Sequence, residues 1–178
     1  MTHAKLPRLS AQSRLTTPLG PLTIAVTELG LAGLWFDGQS HHPGVLTAPV
    51  DDRHRFIVQA RDALRRYWAG DASEPFGVPL DLLGTPFQRA VWMALQHIAP
   101  GTTRTYAEIA ELAGAPAAVR AAGAAIGRNP VSVIVPCHRV VGRDGSLTGY
   151  AGGLDRKRAL LALEGAVPAG SRNEELFA

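Results

Sequence analysis

The sequence predicts an α/β protein of the α+β type, built as a strand-and-helix N-terminal unit over residues 1–80 and a helical C-terminal unit over residues 81–178. Three observations predict it. Residues 14–36 alternate β-branched and apolar side chains between Gly and Pro punctuation, the pattern of short antiparallel strands joined by tight turns. A single amphipathic stretch follows. The rest of the chain is then written in helix-start signals. With 178 residues, 46% hydrophobic and 19% charged, the chain can bury a sizeable core, which excludes a disordered or fibrous protein.

Taken in order, the strands of residues 14–36 give way to residues 39–52, which have no periodicity and read as loop. The adjacent His41 and His42 lie there with no cysteine or carboxylate at ligand spacing, so they read as surface loop rather than metal ligands. From Arg53 to Trp68, the side chains Phe56, Ile57, Ala60, Leu64, Tyr67 and Trp68 recur at helical spacing, and Gly70 closes the pattern. Residues 71–84, rich in Pro and Gly, form the expected linker. Thr85, Pro86 and Gln88 then spell a capping box with proline at the first helical position, opening a helix with Phe87, Val91, Leu95 and Ile98 on one face. Pro100-Gly101 stops it. Thr105 and Glu108 repeat the box for a short helix ending at Gly114, and Pro116 is expected to open the next, which runs to Gly127.

Two helices across a short Gly-containing turn match a helix-turn-helix, a geometry that also occurs in proteins that never touch DNA. The second of them, PAAVRAAGAAIG, is unsuited to reading base edges, because Arg120 is its only long polar side chain. Its alanines allow close approach instead. Ala122 and Gly123, on the side of Val119 and Ile126, are expected to pack inward, while Ala117, Ala121 and Ala124 share the arginine's side.

Charge is uneven along the chain. Residues 1–84 hold eight basic and eight acidic side chains, and residues 85–178 hold ten and seven. Between Leu112 and Arg143 stand Arg120, Arg128, Arg139 and Arg143 with no acid, which suits a polyanionic partner; a solvated basic surface would look the same from charge alone. Nothing resembles a secretory signal or an apolar run of about 18 residues, so the chain is expected to be cytoplasmic with no membrane partner. One cysteine, Cys137, excludes an internal disulfide and a thiolate-rich metal site.

Chemistry concentrates after Asn129-Pro130, where the apolar run Val131 to Val135 delivers Pro136-Cys137-His138-Arg139. A lone cysteine is usually a small buried hydrophobe. Here basic residues crowd the same segment without an acid, surroundings expected to depress the thiol pKa and favour a nucleophile. In an extended segment neighbouring side chains point to opposite sides, so His138 is expected to reach the sulfur through a water. Glu164, in the last turn of a helix over residues 155–164 that ends at Gly165, is a candidate to orient that base; an ordinary surface glutamate would read the same way.

Pro136-Cys137-His138-Arg139-Val140-Val141, preceded by Arg128-Asn129-Pro130 and followed by Gly149-Tyr150-Ala151-Gly152-Gly153-Leu154, resembles the O6-alkylguanine-DNA alkyltransferase family. The likeness is close from Gly84 to Gly165, and it implies a ribonuclease H-like fold for the N-terminal unit. It further implies DNA repair by direct reversal. O6-alkylguanine, and also O4-alkylthymine, would be flipped from duplex DNA and dealkylated onto Cys137 in a single turnover, by a monomer without cofactor.

Position by position, the resemblance makes His138 the base that acts through water and Glu164 the acid that polarises it. Asn129 becomes the hinge between the helix-turn-helix and the active-site loop. Arg120 would fill the gap left by the flipped nucleotide, with Ala121 and Arg128 also on the DNA. Tyr106 would serve both the 3′ phosphate and the guanine, and Val140, Tyr150 and Ala151 would line the guanine pocket. Some members hold zinc in the first domain, but this chain has no N-terminal cysteine, and no metal is expected. A non-catalytic lesion binder of the same descent would lack the acceptor cysteine, and a Cys-His hydrolase would need an oxyanion hole that nothing here suggests.

Overall fold

A computed structural model of the chain describes residues 8–71 and 76–166. Residues 72–75 of the expected linker and the outer ends of both units, residues 1–7 and 167–178, lie outside the described residues.

Strands β1 (Ala11–Thr17), β2 (Gly20–Val26) and β3 (Leu31–Phe36) form an antiparallel sheet in that order. The first strand begins three residues before the alternation read from sequence. Gly20 sits at φ 108°, where a side chain would be strained, so Pro18-Leu19 can close the first hairpin in two residues. Helix α1 (Arg55–Trp68) lies on the sheet, burying Phe56, Ile57, Ala60, Ala63, Leu64 and Tyr67. Its first turn is capped by the His54 side chain, which accepts from Phe56 N–H.

Strand β3 is buried along its whole length because its open edge is covered by backbone from later in the chain. Leu31 N–H donates to Pro79 C=O and Asp81 N–H to Leu31 C=O, so the far end of the linker adds to the edge. Further along, Leu34 N–H donates to Pro130 C=O and Ser132 N–H to Leu34 C=O. The segment leading to Cys137 is therefore hydrogen-bonded to the N-terminal sheet. One contiguous apolar core runs from Ala11 through Leu64 and Trp92 to Leu160.

Both capping boxes form as read. Helix α2 (Pro86–Leu95) has Thr85 and Gln88 exchanging bonds, and α3 (Tyr106–Leu112) has Thr105 and Glu108 doing the same. Helix α4 (Val119–Gly127) starts later than expected: Pro116 lies in a turn closed by Ala118 N–H on Ala115 C=O, so the connection from α3 is longer than three residues. Trp92 Nε1 donates to Ala125 C=O at 2.8 Å, pinning α4 against α2. A two-residue parallel pairing of β4 (Arg104–Thr105) with β5 (Val140–Val141), and α5 (Leu154–Leu163), complete the fold. Among the described residues no helix is long and apolar enough to cross a membrane.

Thr105→Ala removes the cap of α3 without touching the pocket chemistry, so it is expected to cost about 1 kcal/mol. In a chain of this size that lowers Tm by roughly 2–4 °C, measurable by calorimetry.

Candidate active site

The run from Asn129 to Arg139 is coiled, not extended. Val135 N–H returns to Val131 C=O at 3.0 Å, and Ile134 N–H reaches Ser132 C=O at 2.9 Å around Val133. Val133 sits at φ 71°, a strained setting for a β-branched residue that the surrounding core must enforce. Pro136 (φ −83°, ψ 60°) then centres an inverse γ-turn with Cys137 N–H on Val135 C=O, and Cys137–Arg139 forms one 3₁₀ turn. Proline's fixed φ suits that position. Cys137 and His138 are successive residues of a 3₁₀ turn, whose side chains diverge by about 120°, and no hydrogen bond joins them among the described residues.

Asn129, buried, organises the coil. Its Oδ1 accepts from Val131 N–H at 3.0 Å, while Nδ2 donates to Val135 C=O at 2.7 Å and to Cys137 Sγ at 3.1 Å. Only a carboxamide supplies both the acceptor and the donors at this reach; an aspartate could not donate to sulfur.

Glu164, the C-cap residue of α5, collects four hydrogen bonds on a side chain with no exposure. Oε1 accepts from Tyr67 Oη–H at 2.8 Å, His138 Nε2 at 2.7 Å and Arg139 Nη2 at 2.9 Å, and Oε2 accepts from Arg139 Nε at 2.8 Å. Burial alone would raise this carboxyl, but the bonds from His138 and Arg139 win and hold it at about 2. They also offset the unfavourable helix-end position. Because the folded-state value is depressed, this group's contribution to stability is complete above its ordinary value of 4.5 and is lost as pH falls toward about 2.

Burial pushes His138 below its ordinary value despite Glu164, so at neutral pH the imidazole is uncharged. With Glu164 ionised, Nε2 carries the proton and donates, leaving the lone pair on Nδ1, a buried atom with no hydrogen-bond partner among the described residues.

The expected depression of the Cys137 thiol is overturned. The sulfur is buried, and desolvation raises its pKa; the Asn129 bond and the charge of Lys157 lower it by less. The arginines that crowd the sequence do not crowd the sulfur. Arg139 is turned onto Glu164 and Ile98 C=O, and Arg120, Arg128 and Arg143 are exposed. Such a site holds a thiol that a base must deprotonate, not a standing thiolate.

Lys157 is fully buried, and its ammonium donates to the carbonyls of Val140, Thr148 (2.9 Å) and Gly149 (3.1 Å). Burial brings it down to about 8. It closes the loop that carries Tyr150 and Ala151. At Gly152 an added Cβ would lie 2.7 Å from the Tyr150 ring, so only glycine leaves that ring in place.

These elements surround a pocket of about 220 Å³ with Cys137 in its wall. Tyr106, Tyr150 and Ala151 line it, and Tyr106 is fixed by its hydroxyl on Thr148 C=O at 2.9 Å. Val140 does not line it; the side chain is buried and its carbonyl is taken by Lys157. Ala122 is buried and Gly123 lines the pocket beside Tyr106, whereas Ala117, Arg120, Ala121, Ala124 and Arg128 are exposed. Sequence reading placed His41 in a surface loop, and it is exposed, but with Ser40 it also reaches the pocket rim at φ 61°. It likewise missed Tyr67, Arg139 and Lys157 as site residues. Tyr67 and Lys157 have the periodicity of any helix position, and nothing in the motif that carries Arg139 signals that its side chain turns onto Glu164.

Residues 86–166 match the family described as 6-O-methylguanine DNA methyltransferase, DNA binding domain. The chain is similar to the methylated-DNA–protein-cysteine methyltransferase of Mycolicibacterium paratuberculosis, 49% identical over 148 residues that cover 83% of this chain and 88% of that one. It is also similar to the Methanosarcina barkeri protein of the same name, at 45% over 84% of this chain and 94% of the other. Among solved structures it resembles Mycobacterium tuberculosis OGT in complex with DNA, with TM-score 0.78, 46% identity and coverage of 89% and 96%.

Proposed function

The chain belongs to the methylated-DNA–protein-cysteine methyltransferase family, and from that premise we propose that it repairs O6-alkylguanine in duplex DNA by moving the alkyl group irreversibly onto Cys137. The observation that carries the reading is the buried Cys137 sulfur in the pocket wall, held by Asn129, beside a His138 whose Nε2 is bound to Glu164 and whose Nδ1 has no partner among the described residues.

A lesion inside the stack is out of reach of a buried sulfur, so the nucleotide leaves the duplex and enters the pocket. Tyr106, Tyr150 and Ala151 receive it, and the Val140 segment braces the wall behind. His138 takes the thiol proton through a water and becomes an imidazolium stabilised by Glu164. The sulfur lone pair forms the C–S bond as the C–O6 bond breaks, its electrons going to the purine, which is reprotonated to guanine. The thioether has no good leaving group, so each molecule reacts once. O4-alkylthymine offers the same oxygen–alkyl bond and is a second substrate.

Helix α4 approaches the minor groove with its exposed alanines, including Ala121. Arg120 holds the vacated space, and Arg128 meets the backbone, a mode that needs no base sequence because the alanines cannot read one. The N-terminal unit, residues 1–80, is read as the family's ribonuclease H-like domain, and residues 81–178 as the DNA-binding and acceptor domain. The protein acts as a cytoplasmic monomer without cofactor. Intact mass after incubation with duplex DNA containing O6-methylguanine is expected to rise by one methyl group per chain, on the peptide containing Cys137. Turnover of excess substrate, or label elsewhere, would contradict the reading.

A further inference from the structure

Tyr67 lies on α1, 97 residues before Glu164 in the chain, yet its hydroxyl ends 2.8 Å from Glu164 Oε1. That oxygen is the one His138 Nε2 also uses. The ring is 1% exposed and wedged between Trp68, at 5.0 Å between centroids, and Phe76, at 5.4 Å, so its direction is set by packing. A phenylalanine would fill this place at no polar cost. A buried hydroxyl needs a partner, and here the partner is the carboxylate behind the base.

We infer that Tyr67 is a positioning residue of the alkyl-transfer relay: its hydroxyl, contributed by the N-terminal unit, fixes Glu164 and tempers how strongly that carboxylate stabilises protonated His138. The inference rests on the relay described under Proposed function. Three donors share Oε1, and each one that stabilises the carboxylate weakens its pull on the imidazolium. Burial and Glu164 drive the Tyr67 hydroxyl well above its ordinary range, so it is a neutral donor throughout the working pH range. Removing it leaves Glu164 with more charge for His138, and protonated His138 persists to higher pH.

The other groups facing this site do not change with Tyr67. They are Arg139 on the 3₁₀ turn and Lys157 on α5, both opposing protonation of His138, together with Cys137, and with Tyr150 on the pocket loop. The direction of the change is therefore set by the Glu164 bond alone.

The experiment is the single-turnover rate with free O6-benzylguanine from pH 5 to 9, which requires no base flipping. Wild type, Tyr67→Phe, Trp68→Phe and His138→Gln are compared. Tyr67→Phe is expected to lower the plateau about 10-fold, the scale of one hydrogen bond to a charged group. Its acid limb is also expected to move to higher pH, so that the loss is greatest in acid. Trp68→Phe disturbs the same aromatic packing without touching Glu164, and should leave the limb where wild type has it. An NMR titration of the His138 imidazole reads the same displacement without reference to activity. An unmoved limb and imidazole titration in Tyr67→Phe, or an equal displacement in Trp68→Phe, would overturn the inference. If wild type and His138→Gln share one pH profile, the relay itself fails, and the role of Tyr67 fails with it.

Discussion

Glu164→Gln is expected to slow alkyl transfer to duplex DNA and to free O6-benzylguanine by the same factor, on the order of 10²- to 10³-fold, the usual worth of a positioned general base. Glutamine keeps the size of the side chain and can still accept from His138 Nε2. It cannot compensate an imidazolium, and its amide group must face the Arg139 guanidinium that now binds two carboxylate oxygens. With the Cys137 thiol raised by burial, there is no standing thiolate to fall back on. The same change leaves Arg139, only 5% exposed, without its counter-charge, a loss of about 3–5 kcal/mol when one partner of a buried pair is removed. Rates are therefore compared at a temperature where unfolding curves show both proteins fully folded. A loss confined to duplex substrate would remove Glu164 from the relay and assign it to the DNA-bound state alone.

What was legible in the sequence is what local chemistry decides. Thr85 with Gln88 and Thr105 with Glu108 each satisfy orphan N–H groups within four residues, so the two helix starts could be read without knowing the fold. The alternation in residues 14–36 likewise carries its own period. The acceptor segment was found for the same reason, its residues being consecutive. What failed depends on direction in space. Basic residues close to Cys137 in sequence suggested a lowered thiol pKa, but Arg128 and Arg143 are exposed and Arg139 is bound to Glu164. The segment carrying Cys137 and His138 was expected to be extended, yet Asn129, buried at the start of the apolar run that leads to it, ties that run into successive tight turns that hydropathy cannot signal. Pro116 looked like a helix opener because proline tolerates the first helical turn, but it serves a turn equally well, and only the α3–α4 packing decides between them. Tyr67 and Lys157 were hidden by their very regularity on α1 and α5.

Arg120→Ala is expected to separate extrusion of the base from the chemistry. Arg120 is exposed near the start of α4, makes no hydrogen bond or ion pair among the described residues, and is flanked on its face by the exposed alanines Ala117, Ala121 and Ala124. No structural bond is lost on truncation, so the folded protein should keep its Tm. In duplex DNA an extruded nucleotide would leave a gap whose unstacking costs a few kcal/mol, and in the proposed binding mode the long cationic Arg120 side chain occupies it. Losing that support should slow transfer from duplex DNA about 10- to 100-fold, equivalent to roughly 1.4–2.7 kcal/mol of barrier. Free O6-benzylguanine enters the pocket without unstacking, and its rate should stay at the wild-type value. Binding to undamaged duplex should weaken only slightly, because the proposed backbone contact belongs to Arg128 and an intact stack offers Arg120 no vacated space. Equal losses on duplex and free base would show that Arg120 acts on the pocket, and an unchanged duplex rate would leave the gap to be held by some other group on the exposed face of α4.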